Sequence, residues 1–558
     1  MMKKGFKLVP LLFSAMITLA ACGGGEEADS TQVKADENGI KTFSAFMAVP
    51  GKEVPSDNRV YNEIANRIGA KADVTWLTGQ TASERVGVMA ASGEYPDLVD
   101  ASDGTTMMLE AGGYIPIEDY LDDYPNIKNL YSEEEWNLIR NEDGHIYYIP
   151  QFGNIMGENK EVQTSGEAFW IQKRVLKWAN YPEITTVDEY FKVIGDFLAE
   201  NPESDGQKNI GFSIISDDWR YFSLENPPMF LAGYPNDGAG LVDPETLEVS
   251  VYDTIPEAKE YFKILNEQYN KGIIDPETFT MSYDQYIAKI ASGRVVGMID
   301  QYWQFQDANS SLVSQGKDEL TYVPLDLVLD ENVTPKYYDT GVLNVGSGLG
   351  ITISCDDVEG ALQFINDLLD PEILVLRSWG EEGIDYEVGE DGLFYRTEEQ
   401  RANARDTDYV LQNHYTYNYF PTYIGTFEDG NAISPAEQPA EFYDGLVSID
   451  KEILDAYGYE KWTDFLNAVP VEENGAWYPI YSATSGWESN SPEAIANEKM
   501  TEVKQQWLPR VVMGSVDDFE KNWTDYMTTY EKQVDVEAYE KALTGEVKRR
   551  VEISEGKN

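Results

Sequence analysis

The chain has few of the side chains on which most enzyme mechanisms depend. Its 558 residues include two histidines, His145 and His414, and two cysteines, Cys22 and Cys355. Two histidines leave at most two candidate bases for a Ser-His-Asp or Cys-His arrangement, and they nearly exclude a zinc site built on two or three histidines. The 99 acidic residues make paired carboxylates common along the whole chain. Such pairs are therefore weak evidence for a glycosidase or lyase.

One loop has the spacing of oxygen ligands around a metal ion. Residues 201–209 place side-chain oxygens at alternate positions, with glycine at the sixth place, as in the start of an EF-hand-like calcium loop. The candidate ligands are Asn201, Glu203, Asp205, Gln207 and Asn209. The closing bidentate carboxylate is missing, because Ile210 and Phe212 stand where it would be. A structural Ca²⁺ is one hypothesis and a plain helix-to-strand turn is the other; no cofactor is required.

Residues 1–21 have the anatomy of a secretory signal peptide. Lys3 and Lys4 precede an apolar run from Leu8 to Ala21, which is too short for a stable spanning helix of about 20 residues. Leu19-Ala-Ala-Cys22 resembles the lipobox of bacterial lipoproteins, in which the cysteine becomes the lipidated first residue. We therefore expect a lipid such as palmitate on Cys22, a flexible tether over 22–39, and attachment to the extracellular face of the cell membrane. An ordinary signal peptide with an incidental cysteine is the alternative.

The formal net charge of −57 bears on possible ligands. It argues against nucleic acid, whose phosphates need Lys and Arg, and against polyanionic sugars as general partners. It favours a neutral small ligand and high solubility at an exposed surface. Adaptation to a salty or alkaline medium explains the charge equally well.

Alternating strand and helix patterns open the body of the chain. Strands are predicted over 42–46, 73–77 and 97–101, and capping boxes at Thr81-Ala-Ser-Glu84 and Thr186-Val-Asp-Glu189 predict helix starts. A βαβαβ order predicts a parallel sheet, with ligands beyond the carboxyl ends of its strands. Trp76, Gln80 and Asp103 lie at those ends.

Several segments together resemble the family 1 extracellular solute-binding proteins of ABC importers, in particular their large Gram-positive lipoprotein branch. They are Gly93-Glu-Tyr-Pro-Asp97, Gly113-Tyr-Ile-Pro-Ile-Glu-Asp-Tyr-Leu121, Asp143-Gly-His-Ile-Tyr-Tyr-Ile-Pro150, Thr186-Val-Asp-Glu-Tyr190, Gly293-Arg-Val-Val-Gly-Met298 and Trp379-Gly-Glu-Glu-Gly-Ile-Asp-Tyr386. Their order and spacing over about 40–550 carry the resemblance. One departure is Gln172-Lys-Arg-Val-Leu176, where the family often has Arg-Lys-Asp-Trp-Leu; it puts polar contacts from Gln172 or Arg174 in doubt.

The resemblance implies an α/β, two-lobe, periplasmic-binding-protein-like (type II) fold, with hinge strands and with each lobe a sheet flanked by helices. It implies lobe one over 40–150 and 300–370, and lobe two over 151–299 and 371–558. The crossings would lie near Ile149-Pro150, Asp300 and Asp370. It further implies a monomer, not an enzyme, that binds an oligosaccharide and delivers it to ABC permease subunits.

A sugar site needs flat aromatic rings for the CH faces and planar polar side chains for the hydroxyls, converging in a cleft. The chain offers 12 Trp and 36 Tyr. The candidate ligand-binding residues are Trp303, Asp300, Gln301, Trp76, Gln80, Asp103, Trp170, Trp219 with Arg220 and Tyr221, and Trp379, followed by Tyr417, Tyr419 and Tyr423 as weaker ones. For each tryptophan the alternative is a place in the core.

Two other functions remain open on these residues. One is a surface carbohydrate-active enzyme, a glycosidase or lyase that uses paired carboxylates. The other is a binding lipoprotein that senses or adheres and does not serve transport.

Overall fold

The computed structural model describes residues 35–141, 143–339, 343–469 and 474–555. The predicted signal peptide and Cys22 lie outside these residues. Within the described ranges no helix combines the length and apolarity that a membrane span requires.

The first sheet contains four strands, β1 (Lys41–Met47), β2 (Ala70–Trp76), β3 (Leu98–Asp100) and β8 (Leu349–Ile351), in the order β8-β3-β1-β2. β1 pairs in parallel with β2 and β3, and β8 joins β3 antiparallel. The parallel βαβαβ unit predicted from the sequence is confirmed. Thr81 caps its second helix with the predicted reciprocal hydrogen bonds to Glu84.

The second sheet also contains four strands, β4 (Glu167–Gln172), β5 (Ile210–Ile214), β6 (Val295–Gln301) and β7 (Tyr322–Leu325), in the order β7-β4-β6-β5. β6 is parallel to β5 and antiparallel to β4. β4 is buried at every position, so this strand has core on both faces. The carboxyl ends of β5 and β6 therefore meet at one edge of the sheet.

Helices cover the faces of both sheets, because apolar residues recur at helical spacing and need a partner surface. Around the first sheet lie Arg59–Ile68, Ala82–Ser92, Thr105–Glu110, Pro125–Lys128, Glu133–Ile139, Val358–Leu368, Pro371–Ser378, Glu398–Arg405 and Thr407–Asn413. Around the second lie Lys173–Trp178, Val187–Glu200, Phe222–Glu225, Pro227–Leu231, Pro256–Asn270, Tyr283–Ala291, Tyr302–Ser314, Ser448–Tyr457, Pro492–Met513, Phe519–Gln533 and Val536–Ser554, and Pro439–Gly445 lies between the two groups in sequence.

Shorter elements complete the described part. Two-residue strand pairs are Ile155–Met156 with Ile424–Gly425, Glu203–Ser204 with Gln207–Lys208, Leu241–Val242 with Val249–Ser250, Tyr338–Asp339 with Ala468–Val469, and Glu387–Val388 with Phe394–Tyr395. Turns of 3₁₀-helix are Ser102–Gly104, Glu118–Asp123, Asp218–Tyr221, Asp318–Leu320, Pro435–Glu437, Trp462–Phe465, Tyr481–Gly486 and Val516–Asp518.

Two segments pack with the sheet opposite to the one expected from the sequence. Residues 302–325, expected in lobe one, supply Phe305 and Leu312 to the core beside the second sheet, and β7 pairs with β4. Residues 371–427, expected in lobe two, supply Ile373 and Tyr417 to the core of the first sheet. The lobe assignment expected for these two segments is therefore corrected. Strand pairing and apolar burial place the first segment with the second sheet and the second segment with the first sheet.

The crossings between the sheets follow from this correction. The chain leaves the first core after Pro150 and enters the second sheet at Glu167, close to the expected first crossing. It returns between Leu325 and Leu349. Asp300 is not a crossing, because it belongs to β6; nor is Asp370, which caps a helix of the first core.

Candidate functional site

Two exposed tryptophans stack at the carboxyl edge of the second sheet. The rings of Trp219 and Trp303 are nearly parallel, with centroids 5.8 Å apart and planes at 9°. They are 44% and 41% exposed, although large aromatic rings normally bury most of their surface. Trp219 follows β5 and Trp303 follows β6, and pairing of these parallel strands brings the two rings together.

The side chain of Gln301 joins this pair. Its Oε1 accepts a hydrogen bond from the indole Nε1–H of Trp303. Gln301 is half-buried at the last position of β6. Trp303, Gln301 and Trp219 are thus three predicted site residues that the structure brings together.

Asp300 lies one residue earlier and is completely buried. Its carboxylate accepts hydrogen bonds from the Tyr286 hydroxyl at 2.8 Å and from Gln304 Nε2 at 2.6 Å. Burial raises the pKa of Asp300 to about 7, against the opposing effect of these donors. Asp300 was predicted to contact a ligand, but its side chain is enclosed, so it acts on the site by fixing the end of β6.

A second buried carboxyl lies beside Asp300. Glu167, the first residue of β4, pairs with Gln301 across the ladder. Its Oε2 accepts a hydrogen bond from Asn236 at 2.9 Å, and its Oε1 is buried without a partner. Burial raises the pKa of Glu167 to about 8. Sequence reasoning missed this residue, because Glu167 precedes the apolar run that marks the strand.

A second aromatic group lies at the carboxyl edge of the first sheet. Trp76 meets Tyr419 edge to face at 6.1 Å, and Tyr419 meets Phe152 in the same way at 5.5 Å. A Cβ on Gly51 would lie 2.1 Å from the indole of Trp76, so the indole packs closely against the backbone there. Phe152 is 47% exposed. It was missed, although its position just after the predicted crossing at Pro150 could have suggested it.

Polar contacts connect this edge to the crossing and to the second half of the molecule. Gln151 Nε2 donates to the buried carboxylate of Asp100, at the end of β3, at 2.5 Å. Ser489 donates its backbone N–H to Glu110 at 3.1 Å. Gln80 and Asp103, two further predicted residues, are exposed near the same edge. The carboxyl edge of the first sheet thus carries exposed aromatic and polar side chains, as does that of the second.

Three predicted ligand-binding residues are instead core residues. Trp170 and Trp379 are completely buried, and their indole N–H groups donate to the carbonyl oxygens of Asp300 and Ala432 at 2.8 and 2.9 Å. Tyr221 is 7% exposed and packs in the core of the second sheet. Among the weaker candidates, Tyr417 is completely buried, whereas Tyr419 and Tyr423 are half-buried.

The candidate calcium loop forms a β-hairpin. Glu203–Ser204 pairs with Gln207–Lys208, and Asp205 and Gly206 turn the chain with positive φ angles. Arg174 donates to Ser204 at 2.7 Å, and Lys317 lies 3.6 Å from Asp205, so two cations already occupy the surroundings. Asn209 is buried and donates to the Asn201 carbonyl at 2.8 Å. Within the described ranges no three His, Cys, Asp or Glu side chains gather as metal ligands.

Arg174 and Gln172, where the sequence departs from the family pattern, bind each other. Arg174 Nε donates to Gln172 Oε1 at 2.6 Å, and Gln172 Nε2 donates to the Gly293 carbonyl at 3.0 Å. Gln172 is completely buried. These contacts stabilise the second sheet away from its carboxyl edge.

Comparison with protein families matches residues 65–378 to the bacterial extracellular solute-binding protein family. The chain belongs to this family. Members of the family, like the relatives below, are binding proteins. The two-lobe class that the sequence motifs implied is thereby confirmed for this solute-binding protein.

Individual relatives agree with the family match. The chain is 27% identical over 308 residues to the fructooligosaccharide ABC transporter substrate-binding protein FusA of Streptococcus pneumoniae; the alignment covers 51% of this chain and 55% of FusA. It is 22% identical over 402 residues to the polygalacturonan/rhamnogalacturonan-binding protein YtcQ of Bacillus subtilis, covering 70% and 76%. The solved structure of Streptococcus pneumoniae FusA with kestose has a TM-score of 0.62 at 19% identity, covering 91% of this chain and 99% of FusA.

Proposed function

We propose that this solute-binding protein is a lipid-anchored receptor on the extracellular face of the membrane, which binds an oligosaccharide between its two sheets and delivers it to an ABC importer. The anchor would be Cys22. The oligosaccharide would contact the Trp219–Trp303 pair on one side and the aromatic group of Trp76 and Phe152 on the other. Catalysis is not part of the proposal.

The single observation that carries the proposal is the exposed, parallel Trp219–Trp303 pair. Large flat rings left open to water at the carboxyl edge of a sheet suit the weakly polar faces of sugar rings. Gln301 lies beside the pair and can offer its amide to a hydroxyl group. The ligands of the relatives, a fructooligosaccharide and a polygalacturonan, support a carbohydrate, but they leave the choice between neutral and charged sugars open.

A binding screen of the mature chain against oligosaccharides tests the proposal. Ligand at 100 times its dissociation constant adds about 2.7 kcal/mol of stability, and a chain of this size should then melt about 1–4 °C higher. Trp303→Ala and Trp219→Ala should each weaken binding at least tenfold. Trp178→Ala is the matched control, because Trp178 is 37% exposed on a helix packed with Phe197.

Two outcomes would contradict the proposal. Shortened sugars recovered after incubation would indicate an enzyme and not a receptor. Full uptake of the bound sugar by cells that lack the protein would indicate sensing or adhesion and not transport.

A further inference from the structure

The side chain of Arg220 lies next to the Trp219–Trp303 pair and against two aromatic rings. Its guanidinium carbon is 4.5 Å from the ring centre of Trp219 and 3.9 Å from that of Tyr283. These contacts restrict the rotamers of a long side chain and leave the planar guanidinium group oriented in advance.

Tyr283, which supports Arg220, is itself fixed by polar contacts. Its backbone N–H donates to Asp217 at 2.9 Å, and its hydroxyl donates to the carbonyl oxygen of Gln304. Asp217 is thus engaged by the first residue of a helix. The Tyr283 ring that contacts Arg220 is therefore held in place by the fold.

The guanidinium group of Arg220 has no acceptor among the side chains that the structure describes. Its Nε is buried without a hydrogen-bond partner. Two other enclosed arginines have acceptors: Arg59 binds both oxygens of Asp385 at 2.8 Å, and Arg377 donates to backbone carbonyl oxygens at 2.9 Å. The Nε of Arg396 is also buried without a partner, but Arg396 lies against the buried indole of Trp379, whereas Arg220 lies beside exposed rings. Acidic residues outnumber basic ones by 99 to 42, so acidic partners are plentiful in this chain. An arginine that has no acidic partner and lies beside two exposed tryptophans therefore points to a ligand group.

Two of the carboxyl groups near Arg220 carry less negative charge than exposed carboxylates would. Asp300 and Glu167 lie on neighbouring strands at the same edge of the second sheet. Burial favours the protonated form of both carboxyl groups near neutral pH. Charges on the outer surface are screened beyond about 8 Å at physiological ionic strength. The net charge of the whole chain, which favours a neutral ligand, therefore does not decide the charge accepted at this position.

We propose that Arg220 receives a carboxylate of the ligand, so that the saccharide at the Trp219–Trp303 pair carries a uronic acid at this position. The planar guanidinium fork matches the two oxygens of a carboxylate, and the adjacent indole can take the CH face of the same sugar. This inference rests on the proposed carbohydrate-binding function and specifies the substrate class.

Calorimetric titration of the mature chain tests the inference. The probes are oligomers of galacturonate, mannuronate, guluronate and glucuronate, two to four units long, each beside its carboxyl-reduced neutral counterpart. At least one acidic oligomer should bind ten or more times more tightly than its neutral counterpart. Arg220→Gln should abolish that difference and leave the affinity for the neutral counterpart within about twofold, and Arg220→Lys should retain part of it.

Arg510→Gln is the matched control, because Arg510 lies 5.0 Å from the ring centre of Trp507, on a helix outside the site. Equal affinity for acidic and reduced oligomers, or an equal effect of Arg220→Gln on both, would overturn the inference. Binding of neutral saccharides alone would overturn it and leave the proposed function standing. Binding of no saccharide here would overturn the inference, and binding of none in the oligosaccharide screen either would overturn the proposed function itself.

Discussion

Tyr286 donates its hydroxyl to Asp300 at 2.8 Å, and both side chains are completely buried at the strand end that leads to Trp303. Burial raises the pKa of Asp300 to about 7, and that of neighbouring Glu167 to about 8. The strand end on which the site depends therefore holds two carboxyl groups whose protonation is linked to folding.

This linkage predicts that the free energy of unfolding decreases as the pH rises from 5 to 8.5. The raised pKa of each group gives stability that is fully present below the unfolded pKa, near 4, and is lost as the pH rises through 7 to 8. Glu167→Gln removes the contribution of Glu167 to this pH dependence. The free energy of unfolding of the variant should therefore exceed that of the wild type by roughly 1–3 kcal/mol at pH 8.5. Urea unfolding across this range measures the effect, with exposed Glu203→Gln as control. Parallel curves for wild type and Glu167→Gln would contradict it.

Truncation of Trp379 should mainly lower stability, whereas truncation of Trp303 should mainly lower ligand affinity. Trp379→Ala removes a fully buried indole and its hydrogen bond to Ala432, and should lower the free energy of unfolding by about 3–5 kcal/mol. Trp303→Ala should change stability by about 0.5 kcal/mol or less, yet lower ligand affinity. Denaturant unfolding and calorimetry on both variants test this pair. Equal stability losses would show that Trp303 is a packing residue.

Calcium should leave the melting temperature unchanged. Arg174 and Lys317 lie beside the hairpin of residues 203–208, where a cation would bind, and Asp205 is exposed. We expect the same melting curve in excess calcium and in chelator, for the wild type and for Asp205→Asn. A rise with calcium that Asp205→Asn abolishes would restore the calcium hypothesis.

Asp385 should be essential for holding residues 398–413 against the first core. It binds Arg59 through both oxygens at 2.8 Å and lies 3.4 Å from His414. Asp385→Ala leaves Arg59 with the more exposed Glu381 and the amide oxygen of Asn413, and should destabilise the protein by about 2–4 kcal/mol. Hydrogen exchange over 398–413 should accelerate.

The exposed pair Lys192–Asp196 provides the control for this change. Asp196→Ala should alter stability by about 0.5 kcal/mol or less, because water screens the interaction. Equal effects of the two substitutions would mean that the Arg59–Asp385 contact does not hold the segment.

The sequence alone predicted the parts of the fold that depend on local patterns. Alternating polar and apolar residues predicted the parallel strands of the first sheet, and Thr81 and Thr186 were predicted as helix caps, as the structure has them. Short-range hydrogen bonds and side-chain periodicity suffice for such elements. The family motifs likewise predicted the two-lobe class.

Only the tertiary structure decided which aromatic residues face water. Trp170 and Trp303 both lie near Asp300, yet the first is buried between sheet and helices and the second is exposed at the start of a helix. Nor could local pattern assign 302–325 and 371–427 to a sheet, since any apolar strand or helix can pack on either core. Pairing of β7 with β4, and packing of Tyr417 against the first sheet, are contacts between residues far apart in sequence. The same long-range packing placed Arg220 beside Tyr283, which the order of residues does not reveal.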